Sequence, residues 1–250
     1  MERFKNKNVL VTGAAQGIGK QIALDFAKEK ANVVIMDFNE EEGNKTCEEF
    51  NAEGYRSIFV KADVSKYEDI LSSKKLIEKK FGKIDVLVLC AGIAQKSKVY
   101  EISMDDWQRV ININLTGLFT VSKVFYDDLI DNKGSLVYIS SGSALSGTGG
   151  GVSYPASKAG GEGLIRGLAK EMGPLGVNVN AISPRLIDSG DMMRVNYPTQ
   201  ESLDKVLEKI PVGRFGRCED VSNLTLFLAD KDNSYIHGQN ILLDGGRTIA

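Results

Sequence analysis

The stretch N-V-L-V-T-G-A-A-Q-G-I-G, from Asn8 to Gly19, decides the fold class. Its apolar beginning predicts a buried strand over Asn8–Thr12, and a helical pattern starts near Ile18. The turn between them carries the glycines Gly13, Gly17 and Gly19. Glycine lets the backbone turn tightly and lets a phosphate approach closely, and a helix start offers free N–H groups and a favourable dipole. The stretch therefore predicts a strand, turn and helix that bind a phosphate.

Further apolar runs alternate with segments of helical period along the chain. Most runs are apolar throughout, which is typical of parallel strands buried on both faces. The predicted strands are Asn8–Thr12, Asn32–Asp37, Ser57–Lys61, Ile84–Cys90, Ser135–Ser140, Val177–Ile182 and Asn240–Leu243. The predicted helices include Ile18–Glu29, Tyr67–Phe81, Met104–Leu129, Tyr154–Met172 and Asp220–Ala229. Repeated βαβ units predict an α/β fold, with a doubly wound parallel sheet and helices on both faces.

Composition narrows the class of protein. The chain has 250 residues, 42% hydrophobic and 26% charged, with a net charge of −2. This balance gives no reason to expect nucleic acid or an anionic membrane as a partner, and no stretch reaches the roughly 18 apolar residues of a membrane span. Three widely spaced cysteines without a C-x-x-C pattern argue against a disulfide framework or a zinc site. We expect a single domain over residues 1–250, without a metal, in a reduced cytoplasmic setting.

One segment, residues 185–215, is longer than an ordinary connection. It follows the sixth predicted strand and contains Met192, Arg194 and Tyr197. Long insertions in compact domains are often lids or binding loops. We expect a substrate lid with contacts from Met192 and Arg194. The alternative is a surface excursion used only for packing or assembly.

The second predicted strand ends on an acid, Asp37, which lies 18 residues after Gly19. This is near the spacing of about 20 residues for an acid that binds the adenosine ribose of a dinucleotide. A carboxylate there accepts hydrogen bonds from the ribose hydroxyls and repels a 2′-phosphate. The neighbouring Phe38 and Gln16 bring no cation. The pattern favours NAD over NADP, and the alternative is that Asp37 only starts the following turn.

The segment S-Y-P-A-S-K-A-G, from Ser153 to Gly160, places Tyr154 four residues before Lys158. Positions i and i+4 lie on one helix face. A nearby ammonium stabilises a phenolate, so we expect Lys158 to lower the pKa of Tyr154. A tyrosine tuned in this way can exchange a proton with an alcohol or ketone oxygen. By itself, Tyr-x-x-x-Lys is more often a pair on a helix surface.

Together these motifs resemble the short-chain dehydrogenase/reductase family in its ordinary single-domain form, with a Rossmann-like sheet. The resemblance runs from the strand before Gly13 to L-L-D-G-G at Leu242–Gly246. It implies a nicotinamide dinucleotide cofactor, for which Asp37 favours NAD(H) over NADP(H), a small alcohol or ketone substrate, and a homotetramer or dimer. The cofactor residues that it implies are Gly13, Gln16, Gly17, Ile18, Gly19, Asp37, Phe38, Asp63, Val64, Cys90, Ala91, Gly92, Tyr154, Lys158, Pro184, Ile187 and Ser189.

The resemblance also implies a catalytic set, made up of Asn114, Ser141, Tyr154 and Lys158. Tyr154 would be the general acid in reduction and the base in oxidation. Ser141 would orient the substrate oxygen, and Asn114 would help to hold a water that relays the proton through Lys158. Ser143 and Arg185 are expected to contact substrate. A hydrolase with Ser141 as nucleophile would have to use the only histidine, His237, which the resemblance makes a structural residue.

The chain departs from the family pattern at three places, of which Ser189 in place of threonine at a cofactor-contacting position changes least because the hydroxyl is kept. L-C-A-G at Leu89–Gly92 replaces the usual Asn-Asn-Ala-Gly, with Cys90 as a small space-filling group. Arg185 follows Pro184 where glycine is usual. An arginine there would favour a carboxylate or polyhydroxy substrate. The alternative is that Arg185 and Arg194 are solvated or pair with Asp188 and Asp191.

Three functions remain open at this point. The first is an NAD-dependent dehydrogenase acting on a secondary alcohol such as a sugar, polyol, sugar acid or hydroxysteroid. The second is a 3-oxoacyl-thioester reductase, which in this family usually favours NADPH. The third is a catalytically idle dinucleotide-binding regulator. For assembly, we expect the helices Met104–Leu129 and Tyr154–Met172 to form the interface, with close helix contact along Gly160, Gly161 and Gly163.

Overall fold

A computed structural model describes residues 2–189 and 199–249. The strands are β1 (Asn8–Thr12), β2 (Asn32–Asp37), β3 (Arg56–Lys61), β4 (Val86–Leu89), β5 (Ser135–Ile139), β6 (Asn178–Pro184), β7 (Ile187–Asp188), β8 (Gly216–Arg217) and β9 (Asn240–Leu243). The helices are α1 (Gly17–Lys28), α2 (Glu40–Ala52), α3 (Tyr67–Lys80), α4 (Met104–Ile111), α5 (Gly117–Val124), α6 (Tyr126–Asn132), α7 (Ser143–Ser146), α8 (Ser153–Met172), α9 (Gln200–Leu207) and α10 (Cys218–Ala229). The predicted strands and most predicted helices are confirmed to within a few residues.

Seven strands form one parallel sheet in the order β3-β2-β1-β4-β5-β6-β9. The order reverses beside β1, so β1 pairs with β2 on one side and with β4 on the other. In open α/β sheets, ligands bind at the carboxyl ends of the strands where the order reverses. This topology confirms the predicted doubly wound α/β fold and directs attention to the turns after β1 and β4.

Each face of the sheet packs on its own layer of helices. Alternate residues of a strand belong to opposite cores: Val9 and Val11 pack with α1 and α10, whereas Leu10 packs with α3, α5 and α8. Ile22 of α1 and Ile70 of α3 are fully buried in these two cores. Burying a side chain of this size contributes about 1.5–3 kcal/mol. The two apolar layers explain why the strands are apolar on both faces.

The predicted helix Met104–Leu129 is wrong as a continuous element. The chain forms α4, then a π-helical turn over Asn112–Thr116, then α5, and a break at Phe125 separates α5 from α6. Single π-helical turns inside helices occur frequently at functional sites. Here the turn contains Asn114, which is buried.

The segment predicted as a lid is bounded by a short parallel ladder. Ile187 and Asp188 of β7 pair with Gly216 and Arg217 of β8. Between them, α9 begins after Thr199, whose side chain accepts a hydrogen bond from the Ser202 backbone. Residues 190–198, with the predicted contacts Met192 and Arg194, lie outside the described residues.

No helix among residues 2–189 and 199–249 is long and apolar enough to cross a membrane.

Candidate active site

Two cavities open along the carboxyl edge of the sheet. The tyrosine cavity contains Tyr154 and has a volume of about 490 Å³. The aspartate cavity contains Asp37 and has a volume of about 690 Å³. Their walls meet at Cys90, Gly92 and Ile93, directly after β4. The two cavities are therefore halves of one groove across the point where the strand order reverses.

Most of the residues predicted for the site line this groove. Those in the tyrosine cavity are Ile18, Cys90, Gly92, Ser141, Ser143, Tyr154, Lys158, Pro184, Arg185, Ile187 and Ser189. Those in the aspartate cavity are Gly13, Gln16, Asp37, Phe38, Asp63, Val64, Cys90, Ala91 and Gly92. Asn114, Gly17 and Gly19 line neither cavity.

The glycine turn between β1 and α1 is closely packed against the end of β4. Gly13 has φ +67°, and a Cβ added to it would lie 2.8 Å from Cα of Ala91. A Cβ added to Gly19 would lie 2.1 Å from the carbonyl oxygen of Gly13. No side chain fits at either position. The turn is therefore held close to the end of β4 beside the start of α1, and a helix start is the place where a protein can bind a pyrophosphate.

Asp37 stands at the end of β2 with a carboxylate held in place by backbone. One oxygen accepts a hydrogen bond from the Ala15 N–H at 3.0 Å, and the other accepts from the Asn39 N–H at 3.0 Å. Each carboxylate oxygen can accept more than one hydrogen bond, so both retain capacity for ribose hydroxyls. Phe38 beside it is 69% exposed, as a surface that adenine could cover.

Tyr154 and Ser141 meet in the tyrosine cavity. Ser141 follows the end of β5, and Tyr154 lies in the first turn of α8. The Ser141 hydroxyl donates to the Ser143 hydroxyl at 3.1 Å, and the Ser143 N–H donates to the Ser141 oxygen at 3.1 Å. Burial raises the pKa of Tyr154, while hydrogen bonding with Ser141 opposes that rise.

Lys158 is 3% exposed, and its ammonium donates to the Ile139 carbonyl at 2.8 Å. Burial lowers the pKa of Lys158 to about 8, and the charge of Glu162 acts in the opposite direction. The ammonium lies 5.0 Å from the ring centre of Tyr138 and 5.8 Å from that of Tyr154. The Lys158 ammonium is therefore hydrogen-bonded to the end of β5 and lies near the ring of Tyr154.

The prediction that Lys158 lowers the pKa of Tyr154 is wrong for this structure. The tyrosine is buried, and desolvation disfavours its phenolate. The ammonium is directed at the Ile139 carbonyl, and its own pKa is lowered by burial. The raised pKa of Tyr154 means that the side chain is a phenol at neutral pH.

The Asn114 side chain joins the turn after β4 to α8. Its amide nitrogen donates to the Ile93 carbonyl at 2.9 Å and to the Ser157 hydroxyl at 3.0 Å. Its oxygen accepts from the Ile93 N–H at 2.8 Å. A Cβ added to Gly92 would lie 3.3 Å from this oxygen and 3.5 Å from the Lys158 ammonium. The missing side chain of Gly92 thus leaves a space beside both groups.

Thr12 supplies hydrogen bonds at the place where the usual asparagines are missing. Its hydroxyl accepts from the N–H of Cys90 at 3.0 Å and from that of Ala91 at 3.2 Å. Burial raises the pKa of the Cys90 thiol to about 11, so the thiol is protonated and packs as a small apolar group. Sequence reasoning missed Thr12, although its place as the last residue of β1 was a signal.

Sequence reasoning also missed the contribution of the C-terminal segment. Arg247 lines the tyrosine cavity, together with Leu186 and Val206. Arg185 lines it as predicted, and its guanidinium donates to the Thr248 hydroxyl at 3.1 Å. No motif marks Arg247, because its place in the cavity depends on how the end of the chain folds back after β9.

The small-residue face predicted on α8 is only partly exposed. A Cβ added to Gly161 would lie 2.5 Å from the Tyr138 hydroxyl oxygen, so Gly161 packs inside the subunit. Gly160 and Gly163 are on the exposed side of the helix. The prediction of Gly161 as an interface residue is wrong, since Tyr138 already fills the space beside it.

His237 is held away from Ser141 by its own hydrogen bonds. Its Nδ1 accepts from the Val179 N–H at 3.3 Å, and its Nε2 lies 2.8 Å from the Ala169 carbonyl. It lines neither cavity. A serine hydrolase mechanism would need a histidine within hydrogen-bonding reach of the nucleophile, and the only histidine of the sequence is engaged elsewhere.

Comparison with known proteins agrees with this fold and groove. The family model described as enoyl-(acyl carrier protein) reductase matches residues 13–248. The 3-oxoacyl-[acyl-carrier-protein] reductase of Thermotoga maritima is 38% identical, with 99% of this chain and 100% of that protein covered. The meso-2,3-butanediol dehydrogenase of Serratia marcescens is 36% identical, with 99% and 97% covered. The crystal structure of gox2181 superposes with a TM-score of 0.93 at 31% identity, covering 100% of this chain and 99% of that one.

The fold and the groove define an α/β oxidoreductase of the kind that binds a nicotinamide dinucleotide. The chain belongs to the short-chain dehydrogenase/reductase family.

Proposed function

We propose that the protein is an NAD-dependent oxidoreductase that interconverts a secondary alcohol and a ketone. The observation that carries the proposal is the tyrosine cavity, where Tyr154, Ser141 and Lys158 converge next to the glycine turn. A phenol, a hydroxyl and an ammonium in one cavity suit proton exchange with a carbinol or carbonyl oxygen. The nicotinamide ring, when bound, supplies or accepts the hydride.

Tyr154 is the proposed general acid in reduction and general base in oxidation. Its raised pKa keeps the phenol protonated at neutral pH, ready to donate to a ketone oxygen. Ser141, held by Ser143, would orient that oxygen by a hydrogen bond. Ketone reduction should therefore decline as the pH rises, and alcohol oxidation should rise with pH because it needs the phenolate.

Lys158 and Asn114 are proposed to return the proton to Tyr154. The space left by Gly92 touches the Asn114 oxygen and the Lys158 ammonium, which suits a water that hydrogen-bonds to both. In reduction such a water would carry a proton from solvent to Lys158, and in oxidation it would carry one in the opposite direction. Lys158 would also bind the nicotinamide ribose, since this residue lines the tyrosine cavity.

The aspartate cavity supports NAD as the preferred cofactor. Asp37 offers a fixed carboxylate at the end of β2, where ribose hydroxyls would bind and a 2′-phosphate would be repelled. Gly13 leaves room for the pyrophosphate. Gln16, Ile18, Asp63, Val64, Pro184, Ile187 and Ser189 are proposed to complete the binding surface.

A second candidate is reduction of a 3-oxoacyl thioester with NADPH. The 38% identity to a 3-oxoacyl-[acyl-carrier-protein] reductase over almost the whole of both chains supports it. The 36% identity to a butanediol dehydrogenase supports the first candidate equally well. Asp37 is the residue that separates the two, because a carboxylate at that position disfavours NADPH.

We further propose a homo-oligomer, tetramer or dimer, in a reducing cytoplasmic environment. Gly163, on the exposed side of α8, leaves room for a second helix, whereas the space beside Gly160 is already filled by Leu115. The three cysteines are free thiols. Sedimentation equilibrium tests the assembly: a mass of one subunit at micromolar concentration would contradict it.

The function is tested by following the absorbance of reduced nicotinamide. NAD and NADP are each offered with polyols, sugar acids, hydroxysteroids and hydroxyacyl thioesters. NAD-linked turnover that disappears in Tyr154→Phe is the expected result. Turnover with NADP alone would favour the thioester reductase. Cofactor binding without any turnover would favour a dinucleotide-binding regulator.

A further inference from the structure

The tyrosine cavity is strongly cationic. Its described lining includes Lys158, Arg185 and Arg247, and within residues 2–189 and 199–249 that lining contains neither aspartate nor glutamate. The lining of the aspartate cavity, in contrast, includes three aspartates and one arginine. Lys158 belongs to the proposed catalytic set. Arg185 was expected only to contact substrate, and Arg247 has no assigned task. Arginine is the side chain best suited to bind a carboxylate, because its planar guanidinium can donate two parallel hydrogen bonds.

The turn that carries Arg247 is held by Asp244. One carboxylate oxygen of Asp244 accepts from the Gly246 N–H at 2.9 Å, and the other accepts from the Thr248 N–H at 2.8 Å. Burial acts against the charge of Asp244, but the hydrogen bonds from Thr248 and Gly246, together with the positive charge of Arg185, keep the pKa of Asp244 below its usual range. The turn is therefore fixed by an ionised carboxylate, which directs Arg247 back over the cavity.

Arg247 has hydrogen-bonding capacity to spare. Its Nε is buried, and no described residue accepts a hydrogen bond from it. Buried donors are nearly always paired in proteins. Because Arg247 lines the cavity, an unpaired donor leaves its guanidinium free to reorient toward an acceptor that a ligand supplies.

Arg185 is tied to the same turn. Its backbone N–H donates to the Leu243 carbonyl at 3.0 Å, and its guanidinium donates to the Thr248 hydroxyl at 3.1 Å. Its side-chain stem packs on Gly142, where an added Cβ would lie 2.9 Å from the arginine Cβ. Gly142 directly follows Ser141. The two arginines thus form one cationic end of the cavity that contains Ser141.

We propose that the tyrosine cavity takes a substrate that carries a carboxylate, bound by Arg247 with Arg185 beside it. The inference rests on the proposed oxidoreductase function and narrows its substrate class to small hydroxy or keto acids. The cavity volume of about 490 Å³ suits one small molecule that holds both its reacting carbon and its carboxylate inside. Arg247 is then the residue that determines preference for an acid over a neutral alcohol.

Binding to the protein saturated with NADH tests the inference, because an alcohol cannot react with the reduced cofactor. The probes are two pairs of matched size: 3-hydroxybutyrate with 1,3-butanediol, and gluconate with sorbitol. Calorimetry gives their dissociation constants for the parent protein and for Arg247→Gln. Arg56→Gln is the control, since it removes the same charge from the opposite end of the sheet. Arg247→Lys keeps the positive charge but loses the planar guanidinium that can donate two parallel hydrogen bonds to a carboxylate.

We expect at least one acid to bind about tenfold or more tightly than its neutral partner, as charge-assisted hydrogen bonds predict. Arg247→Gln should remove that preference without changing the affinity for NADH, and Arg247→Lys should restore part of it. Equal affinity for acid and alcohol in both pairs would overturn the inference. So would an Arg247→Gln variant that loses affinity for NADH alone, because the guanidinium would then serve the cofactor.

The same experiment separates this inference from the proposed function. A protein that binds NADH and an acid through Arg247, but turns over no substrate, would contradict the function and support the charge recognition. A protein that does not bind NADH would contradict the function. The acids are then titrated without the cofactor, and loss of their binding in Arg247→Gln decides the role of the arginine.

Discussion

The aspartate cavity and the tyrosine cavity share a wall after β4 but are built differently. The aspartate cavity depends on backbone: the glycine turn, the fixed carboxylate of Asp37, and the strand end held by Thr12. The tyrosine cavity depends on side chains that come from distant parts of the chain, such as Tyr154 and Arg247. The first suits a ligand common to many enzymes, and the second suits a ligand particular to one. Substitutions in the two cavities should therefore affect different measurable quantities.

Tyr154→Phe should have the largest effect and should act on turnover alone. Removing a general acid costs about 10²–10⁴-fold in rate, whereas affinity for NADH should stay within a few-fold. Tyr138→Phe is the matched control, because its ring also lies beside the Lys158 ammonium but outside the tyrosine cavity. Steady-state kinetics and NADH fluorescence titration measure both quantities. Equal loss of kcat in the two variants would refute the assignment of Tyr154.

Asp37→Asn should act on cofactor choice alone. Without the charge, a 2′-phosphate is no longer repelled, and the ribose loses charge-assisted hydrogen bonds worth about 1.5–3 kcal/mol. The ratio of kcat/KM with NADP to that with NAD should rise about tenfold or more. Asp105→Asn is the control, since that exposed carboxylate lines the same cavity. An unchanged ratio in Asp37→Asn would show that Asp37 does not select the cofactor.

The same contrast between the two cavities explains which site residues can be predicted from the sequence. Gly13, Asp37, Tyr154 and Lys158 were predictable because each depends on short spacing along one strand, turn or helix. The π-helical turn at Asn114 was not, because it follows from side-chain hydrogen bonds to Ile93, 21 residues away. The predicted lowering of the pKa of Tyr154 was wrong, since spacing reports proximity and not burial.

Arg247 and Glu162 show the second limit of the sequence. Arg247 reaches the tyrosine cavity only because the chain folds back after β9. Glu162 looks like a helix-surface residue, yet its carboxylate accepts from the hydroxyls of Ser140 and Ser183 at 2.9 and 3.0 Å. Both positions depend on tertiary packing that no local pattern encodes. Such residues select the substrate, and for that reason the substrate is harder to predict from the sequence than the fold or the cofactor.

Gly13→Ala should reduce stability more than Gly147→Ala, although both glycines have φ +67°. A residue with a Cβ pays about 1–2 kcal/mol in this left-handed conformation. The space around Gly147 is open, so Gly147→Ala should lose only this conformational contribution to stability. Gly13 adds a clash with the Ala91 backbone, for which overpacking costs about 1–3 kcal/mol more. Denaturant unfolding checks this difference, and equal losses would contradict the close contact between the turns.

Glu162→Gln should have the smallest effect, a shift in pH dependence. Burial lowers the pKa of Lys158 to about 8, and the negative charge of Glu162 keeps it from falling further. Glutamine preserves the size and one accepting oxygen, so the ammonium should lose its proton at a lower pH. Ketone reduction needs both the phenol of Tyr154 and this ammonium, and Tyr154 titrates above its ordinary range. The alkaline limb of reduction should therefore lie near pH 8 and move down in the variant.

The expected shift is below about one pH unit, which corresponds to roughly 1.4 kcal/mol. Glu171→Gln, an exposed position on the same helix, should leave the limb unchanged. A limb that moves upward in Glu162→Gln would mean that the lost carboxylate had been favouring neutral lysine, contrary to its charge. A limb that stays in place would contradict the influence of the Glu162 charge on the titration of Lys158.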